Sequence, residues 1–170
     1  MNTSETLEIE TGVFTRGANM LSVRQGCTAV SIDEHRILVI GGDDGNNCLN
    51  TTEIFDVNTR SFTPGPNLLH GRAGCAAVAL DARRILVYGG YDGSDALAAT
   101  EVLNVETMTA MAGPSMSCAR NECAAVRLDA RRVVVIGGRD VGNFLNTTEV
   151  LDVEAMTFTA GPTLLSARMG

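Results

Sequence analysis

Two charged residue types return along this chain at one fixed step: arginine at Arg24, Arg72, Arg120 and Arg168, and glutamate at Glu5, Glu53, Glu101 and Glu149, each 48 residues after the last. Arginines spaced in this way can do one of two jobs. They can form a cationic ring that grips a ligand, or each can pair with a partly desolvated carboxylate that is costly to leave single. The short Glu-to-Arg step, as from Glu53 to Arg72, is 19 residues and predicts one ion pair at each boundary between units. Repetition favours the framework role, because a binding site rarely needs the same group on every unit.

Recognition is sought where the repeats differ. After the glycine pairs Gly41-Gly42, Gly89-Gly90 and Gly137-Gly138 the chain reads Asp43-Asp44-Gly45, Tyr91-Asp92-Gly93 and Arg139-Asp140-Val141. The shared aspartate suits a turn cap. Asp43, Tyr91 and Arg139 vary and are the leading contact candidates, Tyr and Arg being enriched at interface hot spots. A second loop set offers His70, Met116, Asn121 and Glu122, with Phe144 a further aromatic.

Catalytic chemistry finds little footing. The two histidines, His35 and His70, fall in turns predicted on opposite faces, so they do not share a metal. The Gly41-Gly42-Asp43-Asp44-Gly45 stretch has no lysine, and its two carboxylates repel phosphate. Asp43, Asp44 and Asn46 offer oxygens to a cation, but the EF-hand spacing is absent. The sequence therefore predicts no catalytic residue, no metal site and no cofactor.

The elements that must carry these residues follow from the same period. Self-similarity at 20 to 50 residues marks architectures in which each unit buries its apolar faces on its neighbours. Within one unit, Cys75–Leu80 is a short run of small apolar residues and Asp81–Arg84 a polar turn. Ile85-Leu86-Val87-Tyr88 then reads as a strand buried on both faces. Thr100–Val105 alternates as a third strand, and a fourth ends at Gly113-Pro114. Four short antiparallel strands per unit, with turns every 8 to 12 residues and no helical spacing, predict an all-β chain of propeller blades. The glycine pairs closing the second strands suit close backbone approach near a crowded axis.

The unit resembles a kelch repeat, the motif of kelch-type β-propellers. The likeness rests on the double glycine after an apolar second strand, the run Phe55-Asp56-Val57-Asn58-Thr59-Arg60-Ser61-Phe62, and the arginine opening each first strand. It covers nearly the whole chain. Phe14, Phe62 and Phe158 stand where the family more often has Trp, and Ala110 occupies that place in the middle repeat, which is expected to pack least well. The resemblance implies a non-catalytic module that binds a protein or peptide on its loop face, as a substrate receptor or scaffold. It also admits the alternative of a propeller enzyme, of sugar oxidase or epimerase type, with its catalytic residues on other blades.

Residues 3–22 read as a half blade, 23–70, 71–118 and 119–166 as blades, and 167–170 as the start of another, all in one domain, 1–170. Three and a half blades do not close a ring, so the count predicts a piece of a six- or seven-bladed propeller, or two copies that self-associate through open blade edges. A net charge of −7 with 13 Lys+Arg scattered through the repeats argues against nucleic acid and anionic membranes and for basic or neutral partners. Five cysteines, three of them repeat equivalents (Cys27, Cys75, Cys123), need no disulfide. With no signal-like start and no apolar run of membrane-span length, the expected location is cytoplasmic.

Overall fold

A computed structural model describes residues 2–169. Its described residues are all strand, turn and loop. The first pair, β1 (Glu5–Glu8) and β2 (Val13–Arg16), makes a two-stranded antiparallel sheet. Three four-stranded sheets follow. The first holds β3 (Thr28–Ser31), β4 (Arg36–Ile40), β5 (Thr52–Asp56) and β6 (Ser61–Pro64) in sequence order. The second holds β7 (Ala76–Ala79), β8 (Arg84–Tyr88), β9 (Thr100–Asn104) and β10 (Thr109–Ala112). The third is built from β11 (Ala124–Arg127) and β12 (Arg132–Ile136), then β15 (Thr148–Asp152) and β16 (Thr157–Ala160). A small hairpin, β13 (Arg139–Asp140) and β14 (Asn143–Phe144), interrupts it between its second and third strands. These are the blades of a partial propeller, as the repeat predicts.

The apolar second strands explain the stacking. Ile85 and Val87 of β8 pack with Leu38, Ile40 and Ile54 of the first sheet, while Leu86 and Tyr88 pack with Val133, Val135 and Leu151 of the third. Period-2 alternation thus sends every side chain of the run into one of two cores. Ala110 leaves the middle sheet without the fourth-strand aromatic that Phe62 and Phe158 give the other two. With a neighbour on each face, β8 from Ile85 to Tyr88 and β9 from Thr100 to Leu103 are buried. The aromatic pairing sits elsewhere: Phe55 and Phe62 stack in the first sheet at 4.8 Å, and Phe158 of the third meets the edge of Tyr88.

The charged series forms clasps inside each unit. Arg24 pairs with Glu53, Arg72 with Glu101 and Arg120 with Glu149, a step of 29 residues, and all six side chains are essentially out of water. The 19-residue pairing of Glu53 with Arg72 does not occur. Each arginine leads into the first strand of its sheet and reaches across to the third strand of that same sheet, so the carboxylate ahead of it in sequence, not the one behind, is within range. Boundaries are still joined, by a different group: the glutamate also accepts backbone N–H groups from the linker that enters its unit. Leu69 and His70 donate to Glu101, Ser117 and Cys118 to Glu149, and Leu21 and Ser22 to Glu53. Glu5 and Arg168, the outer members of the series, are exposed and make no ion pair among the described residues.

The double glycines carry the close approach expected of them. At Gly89 (φ +54°) a Cβ would collide with the carbonyl oxygen of Arg120, and Gly90 donates its N–H to that same oxygen at 2.8 Å. Second and third sheets therefore touch backbone to backbone beside the clasp.

Candidate functional site

Antiparallel register decides which loops share a face. Ile40 pairs with Thr52 and Glu53 with Pro64, so the loop leaving β4 and the linker leaving β6 emerge at the same end of the sheet. The corresponding loops of the second and third sheets do the same. His35, in the turn between β3 and β4, lies at the opposite end.

On the shared face, the loop residues bond in pairs to the linkers before them. Asp43 exchanges backbone hydrogen bonds with Gln25, Tyr91 with Ala73, and Arg139 with Asn121, all at 2.8–2.9 Å. Between units, Gly74 donates to Gly26 at 2.7 Å and Glu122 donates to Gly74 at 2.8 Å. The linkers are thereby laid side by side. A concavity of about 390 Å³ opens over them and gathers Asp43, Tyr91, Asn121, Glu122 and Arg139. Beside it a second cavity of about 270 Å³ lies between the loops of the second and third sheets, lined by Tyr91, Asp95, Asn121, Arg139 and Asp140 among others. Five of the eight contact candidates read from the sequence thus meet in one place.

The other three stand apart. His70 is on the same end, with 70% of its side chain exposed and Nδ1 3.6 Å from the clasp carboxylate of Glu101, but it lines neither cavity. Phe144 is exposed on β14, where its backbone pairs with Arg139, and it too lies outside both linings. Met116 is not a loop contact at all: it is buried in the core between the second and third sheets.

The third unit breaks the pattern of the other two at this site. Asp44 and Asp92 cap their turns as expected: Asp44 accepts the N–H groups of Asn46 and Asn47, and Asp92 those of Ser94 and Asp95, at 2.8–2.9 Å. Those donors hold both carboxyls below the usual aspartate range. Asp140, the third equivalent, caps nothing. Its loop carries glycine one position later, at Gly142 (φ +94°), and closes as a tight hairpin whose turn is Val141-Gly142. The freed carboxylate keeps one weak contact, from the Cys118 thiol to Oδ2 at 3.9 Å, and its Oδ1 is buried without a partner.

Its neighbours depart as well. Asn121 replaces Gln25 and Ala73; it is 8% exposed, and its Oδ1 has no hydrogen-bond donor. Glu122 replaces Gly26 and Gly74 and is held at φ +53°, a left-handed conformation that costs a non-glycine residue about 1–2 kcal/mol. Its carboxylate lies 3.4 Å from Nε of Arg139. Backbone strain and two unpartnered oxygens thus fall together on one wall.

Other chemistry is weaker. Asp43 Oδ1 is taken by the N–H of Gly45 at 2.7 Å, and no group of three or more His, Cys, Asp or Glu is arranged to hold a metal ion among the described residues. Tyr88 is buried in the core with its hydroxyl unpartnered, and burial raises its phenol above the ordinary range. The guanidiniums of Arg24, Arg72 and Arg120 are turned inward to backbone carbonyls and their glutamates. They present no cationic ring to a ligand. All five cysteines are free thiols, and no helix long and apolar enough to cross a membrane occurs among the described residues.

Signals for two of the unforeseen features exist in the sequence. The displaced glycine at 142 marks the altered third loop, and Glu122 in a glycine position marks the strained linker. Nothing in the sequence marks the two orphaned oxygens.

Compared with protein families, the chain matches the model described as the KLHDC2/KLHL20/DRC7 Kelch-repeats domain over residues 5–167. No curated protein matches the chain.

Proposed function

The chain belongs to the kelch-repeat family, and from that premise we propose that it is a non-catalytic receptor or scaffold segment whose loop face binds a peptide or an exposed loop of a partner protein. Kelch-repeat domains are in general protein-interaction modules. What supports a site on this face is one observation: five of the residues that vary between repeats gather over two neighbouring cavities, with Tyr91, Asn121 and Arg139 lining both. An aromatic ring, a cation and a carboxamide converging in a concave site make the mixture that dominates interface energetics. The clasps supply rigidity beneath it, so little ordering cost accompanies binding.

The test is selection of peptides from a random display library on the folded chain, followed by affinity measurement of the selected peptides. Replacing both side chains, Tyr91→Ala with Arg139→Ala, is expected to weaken the selected peptides at least about tenfold while leaving the thermal midpoint unchanged, because both side chains are partly exposed. Selected peptides that bind the double variant as tightly as the wild type would remove this face from the binding surface.

A further inference from the structure

We propose that the cavity of about 270 Å³ between the second and third sheets receives one cationic side chain of the bound peptide, with arginine preferred over lysine. The inference rests on the peptide-binding reading above and assigns its chemistry. Two residues of the cavity lining carry an acceptor oxygen that has no donor. Oδ1 of Asn121 and Oδ1 of Asp140 are both shielded from water and unpartnered, and the Asp95 carboxylate forms no ion pair among the described residues. A buried acceptor left without a donor is costly, so what enters here is favoured if it brings N–H groups. The terminal torsions of Asn and Asp are broad, which lets either oxygen turn toward the cavity at small cost.

Charge points the same way. The lining of this cavity holds two carboxylates, on Asp95 and Asp140, against the one cation of Arg139, and that cation already faces Glu122 just outside it. An anionic ligand would meet acceptor oxygens and a half-neutralised arginine. A neutral ligand would meet the hydrogen-bonding need and leave the charge excess unanswered. Tyr91, partly exposed on the adjoining wall, adds an aromatic face over which a cation is stabilised. A planar guanidinium with five donors can serve several oxygens at once, where an ammonium offers three donors from one point.

The position in the fold explains why only this cavity qualifies. Its counterpart residues one unit earlier, Asp92 and Ala73, are respectively a satisfied turn cap and an apolar residue, so the preceding pair of loops has no free acceptors of this kind.

Two measurements test the assignment. Peptides selected on the wild-type chain are expected to share an Arg or Lys position, and exchanging that Arg for citrulline, which keeps shape and removes charge, should weaken binding about tenfold. Asp140→Asn should abolish most of the difference between the Arg and citrulline peptides, and Asp95→Asn, at an exposed position, should reduce it without threatening the fold. Independently, N-acetyl-arginine amide titrated into the isotope-labelled chain should shift the amide resonances of Asn121 and residues 139–142, with N-acetyl-citrulline amide producing no such shift. Selected peptides that bind this face but tolerate citrulline overturn the cation receptor and leave the peptide-binding face standing. Peptides that never depend on Tyr91 and Arg139 overturn the peptide-binding reading itself, and the assignment with it.

Discussion

The clasp of the second unit is poorer in hydrogen bonds than its two equivalents, three from Arg72 against four from Arg24 and five from Arg120, and the difference traces to one position that lacks a hydroxyl. Arg24 sends Nη2 to the hydroxyl of Thr51 and Nε to Glu53, and Arg120 likewise bonds Thr147 and Glu149, with the hydroxyl contacts at 2.9 Å. The matching residue in the middle unit is Ala99. There Nη2 goes to Glu101 instead, and Nε of Arg72 is buried with no acceptor. Ala99→Thr should restore the missing acceptor and let the guanidinium adopt the orientation of its neighbours. A hydrogen bond to a charged group contributes roughly 1.5–3 kcal/mol, and fixing the threonine rotamer and desolvating its hydroxyl offset part of that, leaving a net gain of about 1 kcal/mol. For a chain of this size the thermal midpoint should rise by about 2–4 °C. Thr51→Ala and Thr147→Ala should each lose about as much as Ala99→Thr gains. The assay is urea unfolding followed by circular dichroism, run as a double-mutant cycle with Arg72→Met. On its own Arg72→Met strands the buried Glu101 carboxylate and should cost about 3–5 kcal/mol. In that background the added threonine should bring no gain. A gain of equal size with and without Arg72 would show that the hydroxyl acts through strand propensity rather than through the guanidinium, and the reasoning would fail.

Other expectations are smaller in scope. Glu122→Gly releases the left-handed strain, less the extra chain entropy of glycine, and should stabilise by about 0.5–1 kcal/mol while weakening peptide binding through the loss of the carboxylate beside Arg139; denaturation and affinity measured on the same sample would show both or neither. Burial pushes the thiols of Cys75 and Cys123 up to about 12 and about 11, so alkylation at pH 8 should label exposed Cys27 first and reach these two only after unfolding, as read by mass spectrometry. The Asp129 carboxyl is drawn down to about 2, first by the hydrogen bond from the Arg132 side chain and then by the backbone N–H groups of Arg131 and Arg132. A depressed carboxyl stabilises above its unfolded pKa and loses that contribution as pH falls through the folded one, so Asp129→Asn should flatten the stability curve between about pH 4 and pH 2 and leave it unaltered in shape at neutral pH.

Strands were legible in the sequence wherever apolar side chains served two cores at once, as in Ile85–Tyr88, since no other element of that length buries every residue. The clasp was legible in its members and not in its pairing. Steps of 19 and 29 residues belong to the same 48-residue repeat, so periodicity alone cannot separate them; the curl of the chain through one sheet does. Met116 misled because a loop position adjoining a core carries the same local signature as one facing solvent. At the site, Tyr91 and Arg139 were found by difference between repeats, whereas the orphaned oxygens of Asn121 and Asp140 depend on side-chain placement that spacing does not encode.

Because each clasp closes inside its own unit and its glutamate takes the incoming linker by backbone N–H groups, the linker residues that meet the carboxylate need no particular side chain, while Leu68 and Met116 anchor the linkers in the cores in the same way at each junction. Whole blades can therefore be duplicated or excised in steps of 48 residues without re-engineering the joints, and copy number can drift while every junction stays sound. Diversification then falls to the loop tips, where a single displaced glycine accompanies the change from a capping carboxylate to an uncapped one.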